Sequence, residues 1–131
     1  MISSMRRRLK HEQGGFTLIE LLVVIIIIGI LLAIAVPSYL KFSDRANEKA
    51  ALANVRAVVP SIESWYSDRS TYTGMSLDTL RASYDQSIGT TGYVLTVPAG
   101  GATYCISNSQ NGKIAKKAGP SGPIEIGTVC T

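Results

Sequence analysis

Residues 14–40 read GGFTLIELLVVIIIIGILLAIAVPSYL, and the rest of the chain is organised around them. From Phe16 to Val36 there are 21 residues and a single charge, Glu20. As a helix rising about 1.5 Å per residue, this run spans the roughly 30 Å hydrocarbon layer of a bilayer. Arg6, Arg7, Arg8 and Lys10 lie just before it, and bases flanking a membrane span stay on the cytoplasmic side. The expected orientation leaves the amino terminus in the cytoplasm and carries everything after Val36 out.

Glu20 is the conspicuous residue of the run. A carboxylate in the middle of a bilayer costs about 2.5–3.5 kcal/mol on insertion scales, so one retained there calls for a partner. A local role is open to it as well. Thr17 to Glu20 fits an S/T-x-x-E capping box, and an acid in the first helical turn suits the helix dipole.

The glycine junction at Gly15, then Phe16, Glu20 as the fifth residue after the glycine, and an apolar run closing at Pro37 resemble the type IV pilins and pseudopilins, subunits of helical surface filaments. The resemblance covers residues 14 to about 40. It implies a prepilin peptidase that cuts between Gly15 and Phe16 and N-methylates the new Phe16 amine. It also gives Glu20 its partner, the freed Phe16 amine of the same or a neighbouring subunit. A neighbour out of register would leave a buried charge unpaired, so the pair favours correct assembly.

Residues 1–15 show no apolar periodicity and read as a leader to be removed; an ordinary cytoplasmic tail is the alternative. A secretory signal peptide is a further alternative. Ala33, Ile34 and Ala35 form an A-x-A pattern that would place cleavage before Val36, though Glu20 and the helical sequence continuing through that point speak against it.

The chain has 131 residues and a formal charge of +4. Most of that charge belongs to the leader, which weakens any reading of the whole protein as a nucleic-acid binder. Cys105 and Cys130 fall in the exported part, where disulfides persist, and are expected to pair; two free thiols are the alternative. The resembled family similarly staples its carboxyl-terminal region to the sheet.

Beyond Pro37 the pattern turns one-sided. Leu52, Val55, Val59, Ile62 and Tyr66 recur at spacings of three and four, with Ala46, Ala50 and Ala53 beside them, so one helical face is built to pack. A helix from about 16 to 67 is expected. Pro37 and Pro60 each remove a helical donor and invite a bend, and Gly29 adds a weak point. In the resembled family, the region corresponding to 29–37 loses helix on assembly.

Residues 68–74 are turn-like, and Ser76 caps a short helix carrying Leu77, Leu80 and Tyr84. Four strand-like runs follow, at 93–97, 103–107, 113–117 and 124–129, with Asn111 and Gly112 forming a tight turn. Lys113, Lys116 and Lys117 are expected on a strand near a sheet edge, where lysine discourages unwanted pairing; contact with DNA or an acidic surface is the functional alternative. Tyr39 and Phe42 read as interfacial anchors, and Trp65 and Tyr66 as packing residues.

No catalytic residues, metal ligands or cofactor are expected. His11, the one histidine, lies in the leader, the carboxylates are scattered, and the 119–122 segment GPSG lacks the pattern of a phosphate loop. The expected fold class is α+β, a long amino-terminal helix packed on a small antiparallel sheet. Its divisions are a leader (1–15), a membrane and filament-core helix (16–37), an amphipathic half (38–67) and a head (68–131). The function expected from the resemblance is that of a pilus subunit, held first in the inner membrane by lipid and then in an extracellular homopolymer. The partners so implied are further copies, the peptidase, an inner-membrane platform protein and assembly ATPases; surfaces or DNA are possible targets of the fibre. The rival within the family is a pseudopilin of a type II secretion or competence system. Major secretion pseudopilins bind calcium through a carboxylate-bearing loop, whereas Glu125 is the only acid here after Asp85. A rival of another class is a single-pass anchored binding domain that never polymerises.

Overall fold

The computed structural model describes residues 14–131, so the basic cluster and the rest of the leader to residue 13 lie outside the described residues. The elements run α1 (Leu18–Arg69), α2 (Leu77–Ser83), β1 (Tyr93–Thr96), β2 (Cys105–Gln110), β3 (Lys113–Ala118) and β4 (Ile124–Ile126). The chain divides into two compact units between Leu40 and Lys41. This is the α+β, pilin-like arrangement the sequence implies.

In the first unit α1 is unbroken across Gly29 and Pro37, as it is across Pro60 further on. Proline removes one donor in each place, and a nearby serine adds a side-chain bond to the local carbonyls. Ser38 Oγ donates to the Ile34 carbonyl at 3.2 Å, and Ser64 Oγ to that of Pro60 at 2.9 Å.

In the second unit, Lys41–Thr131, the buried side of α1 is Ala51, Val55, Val58, Ser61, Ile62 and Trp65. The expected stripe shares Val55 and Ile62 with it but is otherwise turned by one residue, from Val59 to Val58 and from Tyr66 to Trp65. Both sets satisfy three-and-four spacing. What separates them is Trp65, whose indole packs inward and donates Nε1–H to the Thr71 carbonyl at 3.0 Å. Tyr66 stays 42 % exposed and stacks on Tyr72, ring centres 4.7 Å apart.

The helix closes at Ser70, which adopts a left-handed φ of 55° and donates its N–H to the Tyr66 carbonyl at 2.7 Å. Arg69 lies over the Trp65 ring at 3.8 Å and donates to the Tyr84 hydroxyl at 2.6 Å, while that hydroxyl donates to Asp68 at 2.6 Å. Tyr84 is the C-cap of α2, so this chain of bonds ties the end of α2 to the last turn of α1. Ser76 caps α2 as expected, in a reciprocal box with Thr79.

The four strands form an antiparallel meander in sequence order, β1-β2-β3-β4. The β2–β3 turn has φ of 46° at Asn111 and 81° at Gly112, the two positive values a primed turn needs. Its tip leans on α1: Asn111 Nδ2 donates to Asn47 Oδ1 at 3.1 Å, and Lys113 Nζ lies 3.5 Å from Asp44. Tyr93, Leu95, Ile106, Ala115 and Ile124 belong to the cluster built around Val55, Val58 and Ile62.

Two expectations are corrected by the sheet. The lysine strand is not at an edge, because β3 lies between β2 and β4. Lys117 is 7 % exposed, and its Nζ donates to the carbonyls of Pro120 and Gly122, holding the 119–122 turn together. Strand limits also move. β2 runs on to Gln110, since the hairpin closes directly after it, and β4 stops at Ile126, beyond which Gly127 leads into the carboxyl-terminal tail. There Cys130 N–H donates to Ser107 Oγ at 3.2 Å and Cys130 is disulfide-bonded to Cys105, Cα–Cα 5.7 Å.

Candidate assembly site at the start of the helix

Gly14 and Gly15 lie in irregular, exposed backbone, and a Cβ on either would meet nothing within 4 Å. Their own fold does not require glycine, so what they contribute is an open, conformationally free strip of chain. Phe16 follows at 88 % exposure.

Thr17 is the last residue before α1 and begins it with a reciprocal pair of bonds. Its Oγ1 accepts from the Glu20 N–H at 3.2 Å, and Glu20 Oε2 accepts from the Thr17 N–H at 3.5 Å. The capping reading of Glu20 therefore has its geometry. It engages one carboxylate oxygen only; Oε1 accepts nothing from the described residues. In the uncut chain the Phe16 nitrogen is an uncharged amide, so a cationic partner at that atom would arise only by cleavage after Gly15.

From Leu18 to Val36 the large apolar side chains are all exposed, none less than 45 %. The most apolar 18-residue window of α1 has a mean hydropathy of 3.3 and none of it is buried. An apolar surface of that extent is stable only against another apolar medium, whether lipid or protein. Gly29 sits in this surface, where an added Cβ would meet no atom within 4 Å, and Pro37 lies near its end.

Pro60, Cys105 and Cys130 lie in the other unit, each in the surroundings described above. Three polar arrangements of that unit escape a reading of the sequence alone. The Arg69–Tyr84–Asp68 chain and the Lys117 clamp join residues that no periodic pattern pairs. Asn108, fully buried, is the one with a signal: the in-out alternation of β2 puts it on the same face as Ile106.

An open cleft of about 480 Å³ lies beside Asn54, Asp85, Ser87, Thr91, Tyr93 and Gln110. Ser87 donates both its hydroxyl and its N–H to Asp85, which holds that carboxyl below its ordinary range. Among the described residues no three His, Cys, Asp or Glu side chains gather as a metal site would need.

Residues 10–36 match the Prokaryotic N-terminal methylation motif. The chain is 42% identical over 65 residues to the type IV major pilin protein PilA of Myxococcus xanthus, covering 50% of this chain and 30% of that protein. It is 42% identical over 89 residues to the type IV narrow pilus major component PilA5 of Thermus thermophilus, covering 68% and 63%. It is 31% identical over 115 residues to the type II secretion system core protein G of Aeromonas hydrophila, covering 80% of each chain. No solved structure matches. The first two matches span less than two thirds of those relatives' own length, but the third runs through helix and sheet alike. The chain belongs to the type IV pilin and pseudopilin family.

Proposed function

We propose that this chain is the major subunit of a type IV pilus, structural rather than catalytic, that polymerises through α1 once the leader is cut after Gly15 and Phe16 is N-methylated. The observation that carries this reading is an apolar helical surface covered by none of the described residues, with one carboxylate at its start. Before assembly, lipid covers that surface, with the amino terminus in the cytoplasm. In the fibre, other copies cover it, and Glu20 Oε1 is free to meet the methylated amine of a neighbour. The partners this entails are a prepilin peptidase, a membrane platform and the ATPases that drive extraction.

A pseudopilin role is the second reading, favoured by the 80% coverage of core protein G. Against it stands the scarcity of carboxylates after Asp85, where Glu125 is alone. Electron microscopy of surface filaments, with mass spectrometry of their subunit, separates the two. Long surface fibres containing this chain with a methylated Phe16 start support the pilus. A chain found only in the envelope, whose loss blocks protein secretion and leaves the fibres intact, overturns it in favour of the pseudopilin.

A further inference from the structure

Within the second unit, α1 and the segment after it carry opposite charge. Residues 41–56 hold four bases, Lys41, Arg45, Lys49 and Arg56, against two acids; residues 63–85 hold four acids, Glu63, Asp68, Asp78 and Asp85, against two bases. At about 100° per residue, Arg45, Lys49, Arg56 and Glu63 fall within about 40° of one another around the helix, on the side turned away from the buried stripe. All four are exposed.

Their neighbours leave them without counter-ions. Asp44 is taken by Lys113, Asp68 by Tyr84 and Asp85 by Ser87, while none of the four makes an ion pair with any described residue. Glu63 acts on the hydroxyls of Tyr72 and Tyr104 in its own chain but has no cation. Arg56 and Glu63 are seven residues apart, about 10.5 Å along the axis, which is beyond the i,i+4 separation at which helical side chains meet. Between Arg56 and Glu63 that side carries half-buried Val59 and exposed Pro60, so no long side chain between the two holds a neighbouring helix away.

A head-to-tail contact joins two different surfaces of one molecule, and a stripe basic at one end and acidic at the other supplies both. Resting on the polymer reading above, the geometry points to Arg56, with Lys49 beside it, pairing with Glu63 of the adjacent copy. Parallel helices offset by about 10.5 Å bring the two to one level. A polyanion such as nucleic acid fits less well, because Glu63 lies on the same stripe as the bases.

The test uses the full chain in a filament-producing cell, with Arg56→Glu, Glu63→Arg and the double exchange. Each single reversal sets like charges together, and the ratio of sheared surface subunit to membrane-retained subunit is expected to fall about tenfold or more. The double exchange is expected to restore it. In a second measurement, Arg56→Cys and Glu63→Cys in one chain, oxidised in assembled filaments, give a ladder of cross-linked multimers. Unchanged ratios in the single variants, or filaments that form without a ladder, overturn the pairing and leave the pilus reading standing. If the unsubstituted chain makes no filaments at all, both readings fall.

Discussion

Asn54 Nδ2 donates to Asn108 Oδ1 at 2.9 Å, joining the helix to the centre of the sheet by a polar contact inside an otherwise apolar packing surface. Asn108 is fully buried, and it also donates to the Thr91 carbonyl at 3.3 Å and accepts from Gln110 at 3.1 Å. Replacing it by leucine leaves Asn54 and Gln110 without their acceptor. Asn108→Leu is expected to lower stability by about 2 kcal/mol, the combined penalty of stranding these half-buried polar groups. Denaturant unfolding of the detergent-solubilised chain checks this; an unchanged midpoint contradicts it.

The Cys105–Cys130 bridge joins positions 25 residues apart. On the chain-entropy account such a loop contributes about 3 kcal/mol, so a Cys105→Ser and Cys130→Ser double variant should melt well below the parent. The loss should match that produced by full reduction of the parent. A reduced parent as stable as the oxidised one would remove the tail from the list of stabilising elements.

Thr17 and Glu20 make one cap together but have different stakes in assembly. Thr17→Ala and Glu20→Ala should each cost the helix about 1 kcal/mol. Only Glu20→Ala is expected to abolish filaments, since only the carboxylate offers charge to a neighbouring amine. Equal filament yields from the two variants would reduce Glu20 to a capping residue.

Tyr104 is 1 % exposed, and its hydroxyl has no well-formed hydrogen bond among the described residues, the Glu63 carboxylate lying nearby. Burial first, then the charge of Glu63 and the nearby Tyr72, raise its pKa well above the ordinary 10.0. Above pH 10 the unfolded chain releases a proton that the folded chain keeps, so rising pH favours unfolding in that range; below it the contribution is complete. Tyr104→Phe should therefore be neutral or stabilising by about 1 kcal/mol at pH 7 and should flatten the alkaline loss. Melting temperatures from about pH 7 to about pH 11 for the two proteins settle the point; parallel curves would count against it.

Much of the architecture is legible in the residues because local chemistry and the fold agree. Asn111–Gly112 demands a primed turn, Ser76 a helix start, and the strand-like runs from Tyr93 onward a sheet. The missed details have one origin, in that several placements satisfy the same pattern. Val58 and Val59 are equivalent by spacing until the indole of Trp65 finds the Thr71 carbonyl. Asn108, Ser109 and Gln110 look like a loop until Asn54 gives Asn108 a partner. Lys117 looks like an edge charge until the 119–122 turn folds back over it. At the start of the helix the carboxylate stands out because everything around it is apolar. Its capping bond is readable from Thr17, while its free oxygen needs a three-dimensional structure to be seen.

The meander has a kinetic side. Because each strand lies against the one made just before it, no strand must wait for a distant partner, and contacts of low sequence separation close fastest. The sheet can zip up hairpin by hairpin as the chain emerges, leaving Cys130 to be locked against β2 only after that strand is already in place.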